Sequence, residues 1–237
     1  MKKVEKNENQ IVFTAHVDET LANSIRRYVN QVPVVAVDEV EISRNDSALY
    51  DETIAHRIGL VPLKDDKKGG EKFKLEEKKE GVIYSGDLKG KGEVVYKKIP
   101  LTTLGKGQEI QLTATTKAGK GSEHSKFSPG LIYYRNVSEI ALPKDFHDEV
   151  KEIFPDAGIK EKGDKIVVLD DRKKEVADVF EGLMEKKGRK AHVEPKEELV
   201  ITVESFGQMT PESVFKKSIE ILKKDLGAIG KEIGKAQ

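Results

Sequence analysis

Residues Asp18–Leu63 read DETLANSIRRYVNQVPVVAVDEVEISRNDSALYDETIAHRIGLVPL, and the order of elements in this stretch decides the fold. Asp18 is placed to cap a helix, and Leu21, Ile25, Tyr28 and Val29 recur behind it at helical spacing. Pro33 stops that helix, because the residue before a proline is pushed out of the helical region. Val34–Ile42 is rich in β-branched residues and predicts a strand. Asp51 is placed to cap a short second helix, with Ile54 and Ile58 one turn apart and Gly59 at its end. Arg26 and Arg27 are neighbours on the first helix, about 100° apart, so they cannot both face one core. On chemistry alone they read as solvated surface charges.

Upstream, Ile11, Phe13, Ala15 and Val17 alternate with other residues and predict a strand, expected to share a sheet with Val34–Ile42 beneath the first helix. Downstream, Lys64–Lys79 is charged, contains Gly69–Gly70 and reads as a boundary loop. Short strands are expected over Gly81–Ser85, Glu93–Tyr96, Glu109–Thr116 and Leu131–Val137, punctuated by turn glycines that include Gly119 and Gly121. Helices follow over Asp145–Phe154 and Glu175–Lys187, and strands over Lys165–Leu169, Ala191–Glu194 and Leu199–Val203. Thr210 caps a long last helix with Pro211 at its first position. Phe215, Ile219, Leu222, Leu226, Ile229 and Ile233 are spaced alternately four and three apart, a coiled-coil type of seam. Val214 and Ile221 add a second apolar edge, so the helix is expected to be covered once by its own sheet and once by a partner. The fold class is α+β.

The 237 residues suffice for one large domain or two small ones. Lys+Arg and Asp+Glu are both 42, and a net charge of zero argues against a general nucleic-acid binder. There is no cysteine, which removes disulfides, zinc–thiolate sites and clusters held by protein thiolates. The start, MKKVEKNENQ, has no apolar signal core, and no run approaches a membrane span, so a cytoplasmic location is expected. No catalytic constellation is present. His16, His56, His124, His147 and His192 lack the HExxH spacing, and no serine sits in GxSxG. Gly119-Lys120-Gly121-Ser122 lacks the end of a phosphate-binding loop, and Gly86, Gly90 and Gly92 do not make GxGxxG. Asp65-Asp66 and Asp170-Asp171 read as turn carboxylates. Neither a cofactor nor a metal is expected.

The pieces LANSIRR, QVPVVAVDEVEI and LYDETIAHRIGLVPL resemble the assembly-platform subunit of multisubunit RNA polymerases, a family that includes bacterial alpha, the third-largest subunit of eukaryotic polymerase II and the archaeal D subunits. Ser24-Ile25 stands where that family has Ala-Leu or Ala-Ile after the asparagine. GEVVYKKIPLTTLGKGQEIQLTATTKAGKGSEHSKFSPGLIYYR resembles the second domain of the D subunits, with Phe127 in place of their tryptophan, and ELVITVESFG resembles the point where the family chain re-enters its first domain. Some archaeal members carry a cluster domain and the eukaryotic ones a zinc loop; this chain has departed from both.

The resemblance implies a discontinuous alpha-like dimerisation domain over residues 1–64 and 197–237. An inserted β-rich domain follows over 65–142, and a cysteine-free, ferredoxin-like remnant over 143–196. It also implies a non-catalytic subunit that pairs with a small alpha-like subunit and receives the large catalytic and the small assembly subunits, with no direct nucleic-acid contact and no membrane. Arg26, Arg27, Arg57 and the loop bearing His124, Lys126 and Phe127 are the expected faces for the large subunits. Phe215, Ile219, Leu222 and Leu226 are the expected seam for the small one. Read without the resemblance, the same chain is compatible with a small-molecule-binding α+β protein whose glycine loops surround a pocket.

Overall fold

The computed structural model describes residues 2–64, 69–155 and 158–236. The chain runs β1 (Lys2–Lys6), β2 (Gln10–His16), α1 (Glu19–Tyr28), a 3-10 turn (Val29–Gln31), β3 (Pro33–Asn45), α2 (Asp51–Gly59), β4 (Lys72–Glu77), β5 (Gly81–Tyr84), β6 (Lys89–Gly90), β7 (Pro100–Leu104) and β8 (Ile110–Lys120). A second 3-10 turn (Ser125–Phe127) leads to β9 (Gly130–Pro143), α3 (His147–Ile153), β10 (Ile159–Lys162), β11 (Lys165–Asp170), α4 (Ala177–Lys186), β12 (His192–Ser205) and α5 (Pro211–Ala236). The mixture of helices and sheets is the expected α+β class.

Two helix starts follow the expected capping chemistry. Asp18 Oδ1 accepts from the Leu21 backbone N–H at 2.9 Å, and Thr210 Oγ1 accepts from Ser213 N–H at 3.3 Å, with Pro211 opening α5. Asp51 departs from expectation. It is the first residue of α2 rather than its cap, and its Oδ1 accepts from Asn45 Nδ2 at 2.7 Å. Its charge still lies in the first turn, where the helix dipole favours a carboxylate.

The chain divides into two compact units, residues up to Ser24 with 132–203, and 25–131 with 204–237. The divisions fall inside α1, β9 and β12. The first unit holds a six-stranded sheet in the order β1-β2-β12-β9-β11-β10. Ile140, Leu142, Phe146, Val150, Ile166, Val168, Phe180 and Met184 form its larger core, and this explains the apolar face read on the 175–187 helix. The second unit holds a four-stranded sheet, β3-β8-β4-β6, and the β5-β7 pair. Its core draws Ile54 and Ile58 from α2, Phe73 and Leu75 from β4, and Ile110 and Leu112 from β8.

β2 and β3 therefore belong to different sheets and do not build one sheet beneath α1. β3 pairs along its length with β8, from Pro33 opposite Lys120 to Asn45 opposite Ile110, and this long-range ladder outweighs proximity in sequence. Two irregularities, at Val37/Glu39 and Ile42/Arg44, bend this strand. The Lys64–Lys79 stretch is not all loop. Lys72–Glu77 is β4, with Phe73 and Leu75 buried between exposed Lys72, Lys74 and Glu76. Glu93–Tyr96 makes a single bridge, Val94 to Leu63, in place of a strand. The two expected strands over Ala191–Glu194 and Leu199–Val203 fuse into β12. Asp170 is not a turn residue: it ends β11 with a fully buried side chain. Asp65-Asp66 lies outside the described residues.

Candidate partner-binding surfaces

Every residue singled out from sequence for a partner lies in the second unit. On α5 the inward face is Val214, Ser218 and Leu222, at 0%, 0% and 8% exposure. Ser218 is accommodated there because its hydroxyl donates to Val214 O at 2.8 Å. Phe215 and Ile219 are half-buried beside that face. Beyond Leu222 the helix changes character. From Lys223 to Lys235 every residue but Asp225 is exposed, and Leu226, Ile229 and Ile233 stand in water at 59%, 54% and 57% exposure. The sequence seam is thus two surfaces. Leu222 serves the chain's own core, while Leu226 opens an uncovered aliphatic line at i, i+3, i+7.

α1 presents a similar division. Ala22, Ile25 and Val29 are buried, whereas Leu21 is exposed and Tyr28 half-buried, so the inward face is turned by one residue from the expected one. Tyr28 meets Asp225 of α5. Desolvation first, then the neighbouring carboxylate and its hydrogen bond, hold the phenol above its ordinary pKa. Arg26 and Arg27 are exposed in the last turn of α1, where the helix dipole favours cations. Arg57 is exposed on α2, and its Nη1 donates to Leu101 O at 3.1 Å. Around it, Tyr50 (82%) and Leu60 (49%), which flank α2 at its two ends, are exposed, and the sequence reading passed them over. For Leu60 the signal was present, since it sits two residues past buried Ile58 and out of phase with it; Tyr50 is four residues before Ile54, in phase with the buried pair, so spacing alone places it inward and only the structure exposes it.

The His124–Pro129 loop is built inward rather than outward. His124 is exposed, and its Nδ1 accepts from Lys126 N–H at 3.1 Å, capping the 3-10 turn. Lys126 Nζ donates to Asp38 Oδ1 at 2.8 Å and lies 5.0 Å from the Phe127 ring centroid. That bond, with Lys117 3.7 Å away, holds the Asp38 carboxyl below its ordinary pKa against the opposing effect of burial. Phe127 is buried with Val34, Ala36 and Met209, and it lies so close to Gly119 that an added Cβ would sit 2.6 Å from its ring. Gly119 therefore serves close packing in β8, not a turn. Of the three loop residues expected at a partner face, His124 is exposed while Lys126 and Phe127 brace the loop from within.

Elsewhere, a cleft of about 590 Å³ in the first unit is lined by His16, Asp18, Asn136, Lys196 and Glu197 among others. His16 Nε2 lies 4.0 Å from Glu198 Oε2. Among the described residues, no group of three or more His, Asp or Glu side chains is arranged to hold a metal ion.

The profile of the RNA polymerase Rpb3/Rpb11 dimerisation domain matches residues 12–226, from β2 to the exposed Leu226. The chain is 34% identical to the DNA-directed RNA polymerase subunit Rpo3 of Thermococcus kodakarensis, over 93% of this chain and 92% of that one. It is 32% identical to the Pyrococcus horikoshii Rpo3 subunit, over 94% and 93% of the two chains. Identity to the subunit of the same name from Methanothermobacter thermautotrophicus is 30%, over 92% and 93%. A match that runs through both units, at near-complete coverage of relatives of similar length, means that this chain belongs to the RNA polymerase Rpb3/Rpb11 dimerisation-domain family.

Proposed function

We propose that the chain is the non-catalytic assembly-platform subunit of a DNA-directed RNA polymerase of the archaeal type, the equivalent of the archaeal D subunits. It pairs with a small alpha-like subunit and presents further faces to the large catalytic and small assembly subunits. The observation that carries this reading is the uncovered line Leu226, Ile229 and Ile233 at the end of a helix that the family profile reaches. Large aliphatics in water on one helix stripe call for a second helix, and burying each is worth roughly 1.5–3 kcal/mol before association costs. The dimerisation surface then draws on α1 and α5, from within the 1–64 and 197–237 segments. The reading needs no cofactor, metal or nucleic-acid contact of the chain's own. No helix of the described residues is long and apolar enough to cross a membrane, and a cytoplasmic location fits the proposal.

Co-expression with the small alpha-like subunit of the same organism, followed by size-exclusion chromatography, tests this. A 1:1 complex is expected; separate elution of two folded chains would refute it. Arg26, Arg27 and Arg57, with His124 at the loop surface, are proposed to meet the large subunits. Arg27→Ala then leaves the heterodimer intact and weakens capture of the second-largest subunit. A desolvated arginine whose partner is left unpaired costs on the order of 2–5 kcal/mol. Unchanged capture in a pull-down would return these arginines to the solvated surface.

A further inference from the structure

The His124–Pro129 loop is tied on two sides to the helices that the proposed function assigns to pairing. On one side stands Asn30, in the 3-10 turn that follows α1. Its backbone oxygen accepts from Ser122 N–H at 3.0 Å, and its Oδ1 accepts from Ser128 Oγ at 3.1 Å. Gly121 approaches so closely that a Cβ there would lie 2.6 Å from Asn30 Oδ1 and 3.2 Å from Asn30 Cα, so a side chain at 121 would displace the Asn30 amide. On the other side stands Gln208, between β12 and α5 and 6% exposed. Its Nε2 donates to Ser128 O at 3.2 Å, and its Oε1 is buried without a hydrogen-bond partner. Phe206 N–H donates to Pro129 O at 3.0 Å, and Met209 packs on Phe127. The helix side of the tie is equally direct. α5 packs on the turn that carries Asn30, and Asp225 of α5 is close enough to Tyr28, two residues earlier, to act on its phenol.

We infer that Asn30 and Gln208 are positioning residues that couple the His124–Pro129 loop to the α1–α5 junction, so that pairing at α5 orders the surface offered to the next subunit. The inference rests on the proposed function and adds a direction of assembly to it. A partner helix covering the Leu226 line immobilises α5 at Asp225. α5 then fixes the turn at Asn30 and the approach to the helix at Gln208, and both hold Ser128. Ser128 is the pivot, since its one hydroxyl proton is shared between Asn30 Oδ1 and Gly130 O, each 3.1 Å away, while its carbonyl accepts from Gln208. Linkage makes the effect reciprocal: a subunit seated on the loop tightens the pair by the same factor that the pair tightens the loop.

The test is hydrogen exchange on the full chain, alone and saturated with the co-expressed small subunit, read at the Phe127 and Ser128 amides that close the 3-10 turn. Pairing is expected to slow their exchange by about fivefold or more, the lower end of ordinary coupling factors. Asn30→Ala and Gln208→Ala are each expected to abolish that slowing in the saturated complex. Asn30→Asp, which keeps the acceptor for Ser128, restores it and separates a lost tie from a misfolded chain. A complex whose loop exchange does not change on pairing overturns the coupling while leaving the functional reading intact. So does equal slowing in wild type and both alanine variants. Failure of any complex to form overturns the coupling and the functional reading together.

Discussion

The first unit stands on a buried ion pair whose removal has a calculable cost. Arg135 of β9 reaches Asp170 at the end of β11, with side chains 20% and 0% exposed. Its Nη2 donates to Asp170 Oδ1 at 2.7 Å and to Arg172 O at 2.6 Å, and its Nη1 donates to Asp170 O and Asn136 O, both at 3.2 Å. The other carboxylate oxygen accepts from Val176 N–H at 3.1 Å and Ala177 N–H at 3.3 Å, closing the first turn of α4. Arg135→Ala leaves that carboxylate buried with backbone donors alone. Breaking a buried pair costs about 3–5 kcal/mol, and the partial exposure of Arg135 lets water in, so about 3 kcal/mol is expected. Asp170→Ala loses the pair and a cap worth about 1 kcal/mol, roughly 4 kcal/mol in all. The double variant should also lie near about 4 kcal/mol, a coupling of about 3 kcal/mol, because neither group is then left alone. Urea titrations followed by circular dichroism measure the cycle. At roughly 2–4 °C per kcal/mol for a chain of this size, Arg135→Ala lowers Tm by about 6–12 °C. A coupling below about 0.5 kcal/mol, the size of ordinary non-additivity between distant sites, would refute the Arg135–Asp170 pair as a mainstay of the first unit.

Leu226→Asp is expected to leave the isolated subunit within about 0.5 kcal/mol of wild-type stability and to abolish pairing in size-exclusion chromatography. Leu222→Asp puts its charge into the chain's own core and costs about 3 kcal/mol or more in the isolated subunit. Asp38 has a folded pKa below its unfolded one, so the Asp38–Lys126 bond contributes stability above the ordinary aspartate range and loses it as pH falls through the lowered value. The stability difference between wild type and Asp38→Asn should therefore be full at neutral pH and shrink as pH falls below the ordinary aspartate range; a difference independent of pH would show that the charge has no role. Elemental analysis of the purified protein is expected to return neither stoichiometric iron nor zinc, since a chain without cysteine offers no thiolate.

Local chemistry was legible in the chain and tertiary choice was not. Asp18, Thr210 and Pro211 mark helix starts because a cap needs only residues within one turn, and the β-branched run in β3 needs no partner to favour extension. The motifs in Asp18–Leu63 pointed to the family on the same footing, since they are read residue by residue. KFKLEE alternates as a strand should, but its charge hid it inside a stretch that looked like loop, and only the ladder to β8 makes it β4. Asp170 could not be told from a turn carboxylate, because what buries it is Arg135, 35 residues away in sequence. Which sheet receives β3 was equally beyond reach, as strand pairing is settled by long-range register and not by adjacency. Along α5 the apolar spacing is uniform from Phe215 to Ile233, so spacing alone assigns Leu222 and Leu226 the same role. The tertiary structure separates them, for the inward face ends at Leu222 and the helix continues uncovered, leaving Leu226 in water.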